Sequence, residues 1–199
     1  MLLSVLCSTL RALWCLPWSN EHKEVFWKLL YDSLPTVGRM HLPRLCPCGL
    51  LSCAPVSGQP RNPPPRNDWQ HVFWECRVAL SVRAELERCC SVGAGLTRQH
   101  LLLMHPPPGV LLDVWRVVCL AAISAMWSCR AQPAPGVVPL DTVIMRAGAA
   151  VDCFWSLLHD FVRAGRYRQS WQRRLTAAHP FLRFEREDAP LTVHRPPSG

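Results

Sequence analysis

Three thiols and one imidazole, spread over residues 46–76, constrain this chain more than any other feature. The sequence reads Cys46-Pro47-Cys48, then a 22-residue spacer that begins with Gly49, then His71-Val72-Phe73-Trp74-Glu75-Cys76. Three cysteines and a histidine are the donor set of a closed structural zinc site, tetrahedral and with no position left for water. If the four share one ion, two segments distant along the chain become neighbours and the fold must be built around them.

The local chemistry permits that geometry. Cysteines one residue apart point to opposite faces of a strand, so Cys46 and Cys48 meet one ion only across a turn. Pro47 fixes its own φ and biases Cys46 toward extended backbone, and Gly49 supplies the freedom to bend the chain back. His71 and Cys76 are five residues apart, about 140° around an ideal helix. They converge if His71 sits on the first turn and Cys76 one turn further in, with Asn67 or Asp68 as N-cap.

Cysteine is also among the most buried residue types, and the chain has 11. Cys53, Cys89 and Cys90 are spare thiols in the same region, and any of them can replace one of the four.

The ordered surroundings carry a resemblance. Phe26-Trp27-Lys28-Leu29-Leu30-Tyr31-Asp32-Ser33-Leu34-Pro35-Thr36, then Arg39-Met40-His41, precede the Cys-Pro-Cys knuckle and the His-x4-Cys pair. This order resembles the zinc-binding domain found downstream of the polymerase in non-LTR retrotransposon reverse transcriptases, over about residues 24–90. The resemblance implies Cys46, Cys48, His71 and Cys76 as the Zn²⁺ ligands, and an origin in a longer retroelement protein whose polymerase part is a partner. The chain departs from the family in its short Cys-x-Cys knuckle and in a spacer holding Pro55, Pro60 and Pro63-Pro64-Pro65.

Composition sets the wider limits. At 199 residues and 49% hydrophobic, the chain can bury one sizeable core, or one and a small satellite; with 18% charged residues it is not a solvated polymer. The net charge of +8 rests almost entirely on arginine, which suits phosphate contacts and points to RNA or DNA as partner. The candidate contacts are Arg39, Arg44, Arg61, Arg66, Arg166, Arg168, Arg173 and Arg174. A GC-rich coding bias accounts equally well for the arginine excess. The odd cysteine count speaks against a fully paired disulfide framework and for a reducing, intracellular setting, nuclear or cytoplasmic.

Along the chain, residues 1–18 read as an apolar helix or the start of a fragment, and 19–92 as the zinc-binding domain. Within that domain, 20–34 form an amphipathic helix ended by Pro35. A second helix runs from Asp68 to about Cys90, with Glu85, Glu87, Arg83 and Arg88 on a solvated face. Residues 110–178 form a helical extension. Its uncharged run from Val117 to Cys129 is 13 residues, below the roughly 17–25 needed to cross a bilayer. A helix over about Asp141 to Ala164 carries the stripe Val151, Phe154, Trp155, Leu158, Phe161 and Val162. Tyr167, Trp171 and Leu175 recur among arginines, and 185–199 read as a disordered tail.

No paired aspartates on a tight turn, Gly-rich phosphate loop, Gly-x-Ser-x-Gly or His-Glu-x-x-His occurs, and no small-molecule site is indicated. The expectation is a mainly α protein: a small helical domain around a Cys-Cys-His-Cys zinc knuckle with additional C-terminal helices. It is expected to bind nucleic acid and to lack catalysis of its own. The competing reading is a non-catalytic helical interaction protein or retroelement relic, with the 110–129 and 143–164 helices as an exposed docking surface.

Overall fold

The computed structural model describes residues 2–35, 68–90, 95–130, 140–165, 182–184 and 191–193. They form α1 (Leu2–Trp14), α2 (Asn20–Leu30), α3 (Asp68–Gln70), a π-turn (His71–Glu75) and α4 (Arg77–Cys90). Then follow α5 (Arg98–Leu102), α6 (Leu112–Ser128), α7 (Leu140–Gly165), β1 (Leu182–Phe184) and β2 (Leu191–Val193). The protein is mainly helical.

Helix α6 is the centre. Twelve of its seventeen residues are buried, from Val114 through Met126, which is why its sequence is apolar on every side. Helices α2, α4 and α7 and the π-turn all pack on it, and α7 packs on α4 as well. Trp115, fully buried, donates its indole N–H to the His100 carbonyl at 2.8 Å, which ties α6 to α5. Within the 110–129 segment, residues 114–126 are therefore mostly core, while Leu111 and Leu112 before them are exposed. Of the described helices, none is long and apolar enough to cross a membrane.

The stripe expected on α7 packs inward: Phe154, Trp155, Leu158, Phe161 and Val162 are buried. Its contacts with α4 and α6 join the two expected segments, 19–92 and 110–178, in one core, and Leu96, Leu101 and Met104 between them are buried too.

Helix α2 stops at Leu30, before Pro35. Asp32 takes a positive φ of 47°, Asp32 N–H reaches the Leu29 carbonyl at 3.1 Å, and Ser33 N–H reaches Lys28 at 2.8 Å. That pair of bonds is a Schellman closure with aspartate where glycine is usual, and it satisfies the last carbonyls before proline is reached. Lys23 of α2 closes α1 in turn, its ammonium donating to the Trp14 carbonyl at 3.2 Å.

Glu85 does not lie on a solvated face. It is buried, accepts the Trp155 indole N–H at 2.6 Å and pairs with Arg88 at 2.7 Å. Part of the stretch read as a disordered tail is ordered as well. Leu191–Val193 pairs antiparallel with Leu182–Phe184 in the register Leu182↔Val193, and Val193 is buried where β2 meets α7.

Candidate metal centre

The His-x4-Cys segment does not continue a regular helix. His71–Glu75 is a π-turn, closed by the Cys76 N–H donating to the His71 carbonyl at 2.7 Å, five residues back. Cys76 is extended (φ −61°, ψ 145°), and α4 restarts beyond it with Leu80 N–H on the Cys76 carbonyl at 2.8 Å. Sequence reasoning let the pair converge with His71 on the entry turn and Cys76 one turn into an α-helix, although five residues on an ideal helix are about 140° apart. An i→i+5 bond closes one wide turn between them instead, so the backbones of His71 and Cys76 stand one above the other. Cys76 is buried and His71 half-buried. A thiol and an imidazole on one closed turn suit half of a tetrahedral zinc set.

Packing on two sides holds the turn. Phe73 is fully buried and stacks on Trp127 of α6, with ring centroids 6.0 Å apart and planes 16° from parallel. On the other side, Arg83 of α4 lays its guanidinium 3.5 Å from the Trp74 ring centroid. It also donates to the Trp74 carbonyl at 3.0 Å, filling an acceptor at the point where the helix is broken. Arg83 is held in turn by Glu87 at 3.9 Å. Glu75 accepts from the Gln70 amide and pairs with Arg98 at 3.9 Å.

The proposed knuckle, Cys46 and Cys48, lies outside the described residues, as does Cys53. The described residues that bracket it are joined. Arg130, just past α6, donates to the Pro35 carbonyl at 3.1 Å and stacks 3.3 Å over Trp127, whose ring also meets Phe73. The chain leaves for the knuckle and returns from it at one place on the end of α6. Sequence reasoning saw nothing but a metal ion to close that loop; the Phe73–Trp127–Arg130 stack closes it by packing.

Two spare thiols stand far along the chain from Cys76. Cys89 and Cys90 end α4, about 20 Å along the helix from Cys76, whereas the ligands of one zinc lie within about 5 Å of each other. Among the described residues, no group of three or more His, Cys, Asp or Glu stands together as a metal site. Cys129 and Cys153 approach each other from α6 and α7, but burial, then the neighbouring thiol, pushes Cys129 up to about 11 and keeps it protonated.

All eight candidate arginines, Arg39, Arg44, Arg61, Arg66, Arg166, Arg168, Arg173 and Arg174, lie outside the described residues. The described ones hold 12 basic and 11 acidic residues, a net +1, which leaves +7 of the +8 for the remainder. Residues 36–67 and 166–181 each carry four arginines and no carboxylate. Within the helical part, Arg83, Arg88, Arg98 and Arg116 all face carboxylates within 4 Å.

One open hollow, of about 820 Å³, lies where Trp14–Ser19, Glu21 and His22 meet Asp160 of α7. Burial lowers the His22 pKa against the raising effects of Glu21 and Asp160. None of the sequence-predicted ligands or arginines lines it.

Comparison of the chain with protein-family models, with curated proteins and with solved structures finds no match.

Sequence reasoning missed Arg83, Arg130 and Glu85. For Glu85 a signal existed: Val78, Val82, Glu85 and Cys89 follow the 4-3-4 spacing of a buried helix stripe. Nothing local marked Arg130, whose partner lies 95 residues upstream.

Proposed function

We propose that the protein is a zinc-binding, nucleic-acid-binding accessory module of the kind found in non-LTR retrotransposon reverse transcriptases, without catalytic activity of its own. The observation that carries the metal reading is the His71–Cys76 π-turn. It joins the backbones of His71 and Cys76 across one turn, in the segment where the family's order of motifs puts the second ligand pair. Cys46 and Cys48 complete the set, and the ion staples the Pro-rich segment to the helical core. Four protein ligands leave no coordination position for a substrate water.

The nucleic-acid reading is supported by where the charge lies. A nearly neutral helical core carries two acid-free segments with four arginines each, and one of them contains the knuckle. Contacts of this kind bind phosphate with little sequence preference and release counterions. Titration with single-stranded RNA should show binding at low salt that weakens steeply as salt rises. Absent or salt-independent binding overturns the nucleic-acid part and leaves the zinc part standing.

A further inference from the structure

We infer that the hollow between the α1–α2 link and α7 binds a guanidinium group, the side chain of an arginine residue in a peptide. The site depends on neither the zinc nor the nucleic-acid reading, and its lining is made of described residues. Its volume, about 820 Å³, is that of a small-ligand site. Trp14, Leu16, Pro17 and Trp18 supply apolar surface, while Glu21 and Asp160 supply carboxylates. The Trp18 ring is fixed between His22 of α2 and Phe161 of α7, with centroids 5.1 Å away on each side. Trp14 is 46% exposed, so aromatic surface stays open to a ligand. Lys23 comes within 5.7 Å of the Trp14 ring, but it is buried and donates to the Trp14 carbonyl.

Charge selects the ligand. Glu21 Oε1 stands 3.4 Å from His22 Nε2, and the Asp160 carboxylate acts on the same imidazole from α7. Burial holds that imidazole below its ordinary pKa, so at neutral pH the two carboxylates are not offset by it. Among the described residues, no lysine or arginine lines the hollow or pairs with either carboxylate. In a chain of net charge +8 the sign is locally reversed, which disfavours phosphate and favours a cation. A metal ion fits poorly, because among the described residues no three donors stand together. A guanidinium fits both parts of the lining. Its plane stacks on indole, its fork donates to carboxylates, and the methylene stem lies along Leu16 and Pro17. An ammonium brings the charge without the plane or the fork.

The test uses the full chain, isotope-labelled, with tryptophan indole N–H resonances followed by NMR as N-acetyl-arginine amide is added. The Trp14 and Trp18 resonances should shift saturably, while that of Trp115, bonded to the His100 carbonyl, stays in place. N-acetyl-lysine amide should bind more weakly, and so should free arginine, whose own carboxylate meets two others. Asp160→Asn combined with Glu21→Gln should weaken binding roughly 10-fold or more. Both side chains are exposed, so the double variant should fold and keep the Trp115 resonance. Absence of a saturable shift at Trp14 and Trp18 overturns the inference, as does a double variant that binds like wild type. Equal affinity for the lysine amide overturns the guanidinium assignment, and equal affinity for free arginine overturns the peptide assignment.

Discussion

Arg130 and Pro35, 95 positions apart, are joined by a 3.1 Å hydrogen bond from guanidinium to backbone carbonyl. The same guanidinium stacks 3.3 Å over Trp127, which in turn meets the buried Phe73. Arg130→Ala should therefore cost about 1–2 kcal/mol through the lost stack and carbonyl contact. It should also raise hydrogen exchange at residues 31–35 and 71–75 together. Exchange rising in one segment alone would show that the two are not held at a common point.

Glu85 accepts the Trp155 indole N–H across the α4–α7 contact while pairing with Arg88. Glu85→Ala should cost about 2–3 kcal/mol in urea unfolding, because a buried indole donor and a guanidinium both lose their acceptor. Trp155→Phe combined with Glu85→Leu should cost less than the sum of the single changes, since the indole donor leaves together with its acceptor. Strict additivity would place Glu85 back on a solvated surface.

His22 and His100 both have pKa values below the ordinary 6.5, His22 chiefly through burial and His100 through burial and then the neighbouring His105. Their neutral forms are the native ones, so the unfolded chain binds more protons at acid pH. Stability should be full above about pH 6.5 and fall as pH drops below it. His100 Nδ1 accepts the Thr97 N–H at 3.1 Å in a capping box, a contact that protonation removes. His100→Gln keeps a box acceptor and should flatten part of the acid loss. An unfolding midpoint that does not change between pH 8 and pH 5 would contradict both assignments.

The long periodic helices were legible because their stripes are wide: Phe154, Trp155, Leu158 and Phe161 read as core and are core. Asp113 and Arg116 have the i,i+3 spacing of a helical ion pair, and the pair forms at 3.2 Å. What could not be read was backbone that departs from the α-helix. Asp32 ends α2 by a left-handed residue that aspartate seldom adopts, so Pro35 looked like the stop. The π-turn has no local code, because its cause is tertiary: Phe73 is drawn onto Trp127 while Trp74 is covered by Arg83. Three residues of the tail order for a similar reason, as Val193 finds an apolar seat against α7.

Cys76→Ser should abolish the proposed metal binding yet leave α6 and α7 folded, because Arg130 and Phe73 hold the described ends of the loop without an ion. Far-UV circular dichroism should change little, while protease sensitivity rises within residues 36–67. Global unfolding on this substitution would mean that the metal, and not the α6 core, holds the fold together.

The most direct measurement is the zinc content of folded protein purified without chelator. The account predicts one Zn²⁺ per chain, lost together from Cys46→Ser, Cys48→Ser, His71→Ala and Cys76→Ser, and retained in Cys89→Ser. A stoichiometry near zero in a folded wild-type sample would contradict it.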